Sequence, residues 1–284
     1  MRINLMIEGQ EGVAWGQWLA LAQAAEDAGL EGLFRSDHYR SIQNEDPAGS
    51  LDAWTTLAGL AARTRRIRLG TMVSPVTFRP VSVLSKSVVT VDHISNGRVE
   101  LGIGAGWFEL EHETYGFDFK TTGGRLDELD RQLEEIDRQW TAADEILPKP
   151  VQRPRPPIIV GGRARPRTVR AAVRWADEYN TVFPTVDDAR ERKRVLDDAA
   201  REGDREPLRF SMMIGCVVGR TADEVQRRLE RHPNPPPLSG TVEQVVEQLR
   251  AYEAVGVERA MLQHLRHDDV EMVSVLGDVA ARLE

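Results

Sequence analysis

Apolar residues along the chain recur in two alternating rhythms, short continuous runs and longer stretches spaced by three or four. "INLMI" (3–7) reads as a buried strand, and Trp15, Trp18, Leu19, Ala22 and Ala25 follow at helical spacing. "GLF" (32–34) is the next strand, and a helix carries Leu51, Trp54, Leu57, Ala58 and Ala61. "IRLGTMV" (67–73) precedes a helix over 81–94, and "RVELGIG" (98–104) precedes the clearest helical stripe, Leu126, Leu129, Leu133, Ile136 and Trp140. The pattern resumes with "IIVGG" (158–162) and a helix over 167–176, then "EYNTVF" (178–183) and a charged helix over 187–202. "RFSMMIGCVV" (209–218) leads to a helix over 221–231 and another through Val242, Val245, Val246 and Leu249. "ERAMLQHL" (258–265) and a helix through Val273, Leu276, Ala280 and Leu283 complete the series.

Eight strands, each followed by a helix, imply a parallel sheet, because parallel neighbours need crossover connections. Eight such units within 284 residues favour a closed (β/α)8 TIM barrel over an open sheet. The units after strands four and seven run long, which predicts extended loops there. The proline segments 148–157 and 232–241 read as rigid connectors, so 1–284 is expected to form a single domain.

Composition narrows the choice of partner. A net charge of -8 argues against nucleic acid or an anionic membrane as the main partner. The only cysteine, Cys216, excludes an internal disulfide and a cysteine-based zinc site. No apolar run approaches the roughly 20 residues of a membrane span, so the expectation is a cytoplasmic protein. Of 37 basic residues 33 are arginine, which weakens any single arginine as a functional sign.

In a barrel, the residues just after each strand share the C-terminal face, where enzymes of this fold keep their sites. Here that face gathers Asp37 and His38, "SPVTFR" (74–79), "GAGWFELEHETYG" (104–116), "GGRARPRT" (161–168), Asn180, Gln263 and His264. "GGRARPRT" joins two glycines to a helix start among arginines, a pattern suited to an anion, although a glycine turn with solvated arginines reads the same way. Asp37 and His38 are adjacent, so they do not form a triad with Ser36; they suit hydrogen bonding to a ring and proton transfer near neutral pH. Glu109 and His112 fall on one helical face, yet no HExxH is present, and a helix lying over the site is the better reading. Trp107 and Phe108 offer an apolar wall for a flat ligand or belong to the core.

"FRSDHY", "RIRLGTMVSPVTFRP", "RVELGIGAGWFELEHETYGFDF" and "PPIIVGG" with "RTVRAAVRWADEYN" resemble the luciferase-like monooxygenase superfamily, and most closely its coenzyme F420-dependent branch. "GTVEQVVEQLRAYEAVGVERAMLQHL" (240–265) is similar to that family's carboxyl-terminal run, so the likeness spans nearly the whole chain. The resemblance implies a (β/α)8 barrel binding the deazaflavin F420 or, less often, FMN. It assigns the catalytic pair to His38 and Asp37, with His38 moving a proton and Asp37 orienting the ring or His38. It places a non-prolyl cis peptide at Met72–Val73, behind the cofactor ring. Gly104, Ala105, Gly106, Gly161, Gly162 and Arg163 match the residues holding the cofactor's tail, with Trp107 beside them.

Two departures stand out. The family's sugar-phosphate dehydrogenases carry a carboxylate where this chain has Trp107, and "WTAADEILPKP" (140–150) is short where relatives have an extra hairpin. The resemblance therefore implies an F420-dependent oxidoreductase acting on a small organic substrate other than a sugar phosphate. An FMN-dependent monooxygenase fed by a separate reductase is the alternative, and a cofactor-binding protein without turnover is a third. A homodimer is expected from the family. A phosphate-binding lyase or isomerase would need a lysine at a strand end, and none of the four lysines falls there.

Overall fold

The computed structural model describes residues 1–42 and 49–283. Eight parallel strands close into a barrel: β1 (Arg2–Ile7), β2 (Gly32–Arg35), β3 (Arg68–Thr71), β5 (Val99–Gly104), β6 (Ile158–Gly162), β7 (Glu178–Val182), β8 (Arg209–Gly219) and β10 (Arg259–His264). Closure is made by β10, which pairs with β1 through Arg2↔Arg259 to Ile7↔His264 and with β8 through Arg259↔Ser211 to Gln263↔Gly215. This is the (β/α)8 architecture that the alternating pattern implies.

Two short strands escape the periodicity. The third strand divides at the cis Met72–Val73 peptide, and Ser74–Pro75 continues as β4 against β5. Leu238–Thr241 forms β9, which pairs with residues 216–219 of β8, so part of the segment expected to be a plain connector is sheet. Four residues flanked by proline are too few to show a period.

The helices α1 (Trp15–Asp27), α2 (Ala53–Ala61), α3 (Val81–Ser95), α5 (Thr122–Asp137), α6 (Pro166–Trp175), α7 (Val186–Glu202), α9 (Val242–Glu253) and α10 (Val270–Ala280) surround the strands. Their apolar stripes and the outward strand residues make one continuous core shell that includes Leu5, Trp18, Leu101, Leu133, Phe210 and Leu262. The excess after strand four contains α4 (Glu109–Tyr115), and that after strand seven contains α8 (Ala222–Leu229) with β9. Both long units and their helices were legible in the sequence; β9 was not.

Inside the barrel the chain separates polar from apolar layers. Toward the strand starts, Arg259 is fully buried, with Nη1 donating to Glu100 at 2.8 Å and Glu178 at 2.9 Å. Above that plug lies a second apolar cluster: Met6, Phe34, Met72, Ile159, Met213 and Met261. Side chains on a strand alternate between faces, so Leu5 and Met6 serve different cores. The plug fills one end of the barrel and leaves the C-terminal end to the site.

Candidate functional site

The chain leaves β2 at Arg35 and turns across the barrel mouth through Ser36, Asp37, His38 and Tyr39. Ser36 Oγ accepts the Gly9 N–H at 3.0 Å, which ties this turn to the end of β1. Asp37 is buried and fully engaged: Ser74 Oγ donates to it at 2.6 Å, and Arg79 reaches both its oxygens at 2.6 and 3.1 Å. The Arg79 guanidinium also donates to Asp52 at 2.6 Å and Tyr39 Oη at 3.1 Å. Burial opposes its charge, but Asp37 outweighs burial and raises its pKa. Burial alone would raise Asp52; its bonds from Thr55 and Arg79 bring it down to about 2. This forked pairing fixes the turn.

His38 is held by a residue that sequence reasoning passed over. Its Nδ1 lies 2.8 Å from Oε2 of Glu111, a carboxylate with no exposed surface. The other oxygen of Glu111 accepts the backbone N–H groups of Tyr39 and of Arg40, the latter at 3.0 Å. Burial disfavours the imidazolium, yet the hydrogen bond and charge of Glu111, supported by Glu8 and Asp37, prevail and raise the His38 pKa. Asp37 therefore does not orient His38 by a bond of its own, because Arg79 and Ser74 occupy it. Glu111 stands three residues before Thr114 in α4, and Tyr115 Oη donates to Tyr39 O at 3.0 Å, so α4 is stitched across the turn.

Glu109 and His112, which fall on one helical face, lie in α4. His112 bonds Phe108 O and Thr77 Oγ1, each at 2.7 Å, which occupies both ring nitrogens. His264 lies on the buried outer side with Nε2 3.0 Å from Asp269 O, away from the mouth. Gln263 does face the mouth: its Nε2 donates to Glu8 Oε1 at 2.6 Å, and Gln10 donates to the other oxygen at 2.8 Å. Asn180 points inward, donating to Ser211 at 2.9 Å while its buried Oδ1 has no hydrogen-bond partner among the described residues.

The glycines at the ends of β5 and β6 have a packing reason. A Cβ on Gly104 would stand 2.7 Å from Val73 Cγ2, and one on Gly161 would stand 3.1 Å from Val73 Cγ1. They make room for the bulge at Met72–Val73. Gly162 makes room for Tyr179 Oη, which accepts the Ala164 N–H at 2.8 Å. Gly106 has φ of 79°, a left-handed turn suited to glycine. Ala105 lies between Gly104 and Gly106 on the same strand end. Arg163 and Arg165 are exposed at the start of α6, whose first turn has no side-chain cap, while Arg167 is spent on Asp127. Trp107 is 60% exposed, so it is not core, and its ring meets His38 edge-on at 5.8 Å.

A profile of the luciferase-like monooxygenase family matches residues 3–235, and the chain belongs to that family. Among curated relatives it is similar to an uncharacterized protein of Mycobacterium tuberculosis, 34% identical over 52% of this chain and 55% of that one. It is 32% identical to an F420-dependent glucose-6-phosphate dehydrogenase of Amycolatopsis mediterranei over 43% and 36% of the two chains. It is 28% identical to the oxygenase component of a flavin-dependent trigonelline monooxygenase of Acinetobacter baylyi over 52% and 43%. The chain spans about half the length of the first of these relatives.

The fold is shared with the coenzyme F420-dependent tetrahydromethanopterin reductase of Methanopyrus kandleri (TM-score 0.81, 15% identity, 100% and 99% of the chains). It is shared equally with the oxygenating constituent of 3,6-diketocamphane monooxygenase of Pseudomonas putida, solved with FMN (TM-score 0.82, 17% identity, 99% and 98%). Relatives and fold neighbours thus include F420-dependent and flavin-dependent oxidoreductases. Among the described residues no helix is long and apolar enough to cross a membrane.

Proposed function

We propose that the protein is an F420-dependent oxidoreductase, passing a hydride between the deazaflavin and a small organic substrate. The observation that carries this reading is the pairing of buried Glu111 with partly exposed His38 at the mouth of a methionine-lined barrel. It supplies a positioned proton donor and acceptor beside an apolar slot suited to a flat ring. The residues fit such a cofactor: Met72 and Val73 would back the ring, and Gly104, Ala105, Gly106, Gly161 and Gly162 leave the strand ends low. Arg163 and the uncapped start of α6 would take an anionic tail.

When bound, F420 supplies the hydride acceptor or donor. His38 takes the proton from the substrate as hydride leaves, or returns it in the reverse direction. Glu111 keeps the imidazole oriented and favours its protonated form. Asp37, clamped by Arg79, holds the turn that carries His38. Residues 1–284 act in this reading as one barrel domain in the cytoplasm, as a homodimer, without nucleic acid or membrane.

The FMN reading draws on the oxygenase component among the relatives, which implies a separate reductase supplying reduced cofactor. The arginines at α6 suit an FMN phosphate as well as an F420 tail. Titration of the purified protein with F420 and with FMN, followed by cofactor fluorescence, separates the two. Saturable F420 binding with weak FMN binding is expected. The reverse preference moves the protein to the oxygenase reading, and binding of neither overturns both.

A further inference from the structure

Resting on the cofactor reading above, we propose that the substrate carries no anionic group and has an aromatic or extended apolar body, selected by Trp107 and Phe183. Both rings are exposed, Trp107 at 60% and Phe183 at 47%, although such side chains are normally driven inward. Each follows a barrel strand on the side where the site lies: Trp107 comes after β5 and Phe183 directly after β7, the two strands that flank β6.

Neither ring is placed loosely. Trp107 stacks on Phe108 at 5.2 Å with planes 24° apart and meets the His38 ring edge-on. Phe183 has φ of 43°, a region that bulky residues rarely occupy, and its N–H donates to Met213 O at 2.9 Å. Met213 belongs to the interior apolar cluster, as does Met72. Thioethers adapt to flat rings, so the interior cluster below these strand ends suits the same kind of ligand body.

The charges that border His38 are already spoken for. Glu111 holds His38, Asp37 holds Arg79, and Glu8 is bonded by Gln263 and Gln10. An anionic group brought to His38 would meet no unused cation in this set, since Arg79 is taken by Asp37 and the Glu8 carboxylate is bonded only by neutral amides, and an unpaired ion is costly to desolvate. A neutral hydroxyl or carbonyl needs only His38. The bound cofactor would supply the hydride acceptor for a carbinol C–H bond while His38 would take the O–H proton, leaving a carbonyl; in reduction His38 would return that proton.

The test titrates the cofactor-loaded protein with 2-acetonaphthone and with 6-acetylnaphthalene-2-sulfonate, which share a body and differ in charge. The neutral ketone is expected to bind saturably and the sulfonate about 10-fold or more weakly. Trp107→Ala and Phe183→Ala should each weaken the ketone about 5-fold, and Trp107→Phe should restore most of the loss. Cofactor affinity should stay unchanged in Phe183→Ala. Equal binding of the sulfonate, or unchanged ketone affinity in both alanine variants, overturns the proposal. So does a Trp107→Ala protein that loses cofactor instead of ketone. Failure of the cofactor reading shows separately, as wild-type protein that binds neither F420 nor FMN.

Discussion

The fully buried carboxylate of Glu111 lies 2.8 Å from Nδ1 of His38 and caps the next two backbone N–H groups of the same turn. One side chain thus sets both the position of the imidazole and its affinity for a proton. Two elements separated by about seventy residues of chain meet there, the end of β2 and the helix α4.

Glu111→Gln keeps a hydrogen bond and removes the charge, so the His38 pKa should fall. The limb of the pH–rate profile belonging to His38 should move to lower pH, with kcat reduced about 10- to 100-fold. Because the raised pKa belongs to the folded state, its stabilisation is present below the unfolded histidine value and is lost as pH rises through the folded one. Nitrogen NMR titration of His38 in wild type and variant checks the direction. An unmoved profile would remove Glu111 from the role.

Asp37→Ala should destabilise the protein where His38→Asn should not. The Asp37 change leaves the largely buried Arg79 with one carboxylate, Asp52, and the Tyr39 hydroxyl, at a cost on the order of 3 kcal/mol. Urea unfolding measures the difference. Turnover should fall in both variants, but only Asp37→Ala should shift the unfolding midpoint strongly.

Val73 should be coupled to the glycines it covers. Gly104→Ala is expected to cost about 1–3 kcal/mol by overpacking, and Gly161→Ala less, given the wider gap. The Val73→Ala/Gly104→Ala pair should recover part of that loss, a non-additivity read from a double-mutant cycle. Gly102→Ala should be the worst of the series, because its Cβ would meet Thr71 O at 2.0 Å, and backbone does not give way.

Acid sensitivity should begin with His264. Burial, then the neighbouring His267, pushes its pKa down to about 4. A depressed histidine stabilises the fold fully above the unfolded value near 6.5, and that contribution declines as pH falls from there through about 4. His264→Gln should flatten stability between pH 6.5 and 4 by about 3 kcal/mol at most. Glu100 should act lower: burial opposes its charge, but Arg259 holds it down at about 2, so its contribution fades only as pH drops from the ordinary carboxylate range toward 2. Urea midpoints at pH 7, 5 and 3.5 separate the two groups.

Local pattern carried the barrel. Continuous apolar runs and three-four stripes depend on neighbours in sequence, and the eight strands fell where Leu5, Phe34, Leu101 and Leu262 indicated. His38, Trp107 and the glycine-rich ends of β5 and β6 were legible for the same reason: in a barrel, position after a strand already determines the face. The partners were not. Glu111 lies in "FELEHETYG" between two other carboxylates, and nothing in that spelling marks it as the one that reaches back to His38. Arg79 reads as one arginine among many until the fold brings it to Asp37. Gly104 and Gly161 read in sequence as glycine-rich strand ends, and only the fold shows that they also give clearance to Val73, because a close approach between strands leaves no trace along a single chain. Sequence by itself determined most of the residues that stand at the mouth of the barrel, His264 excepted, since that follows from local periodicity. Only the tertiary structure decided which of them touch, since hydrogen bonds and ion pairs depend on distances that chain order does not encode.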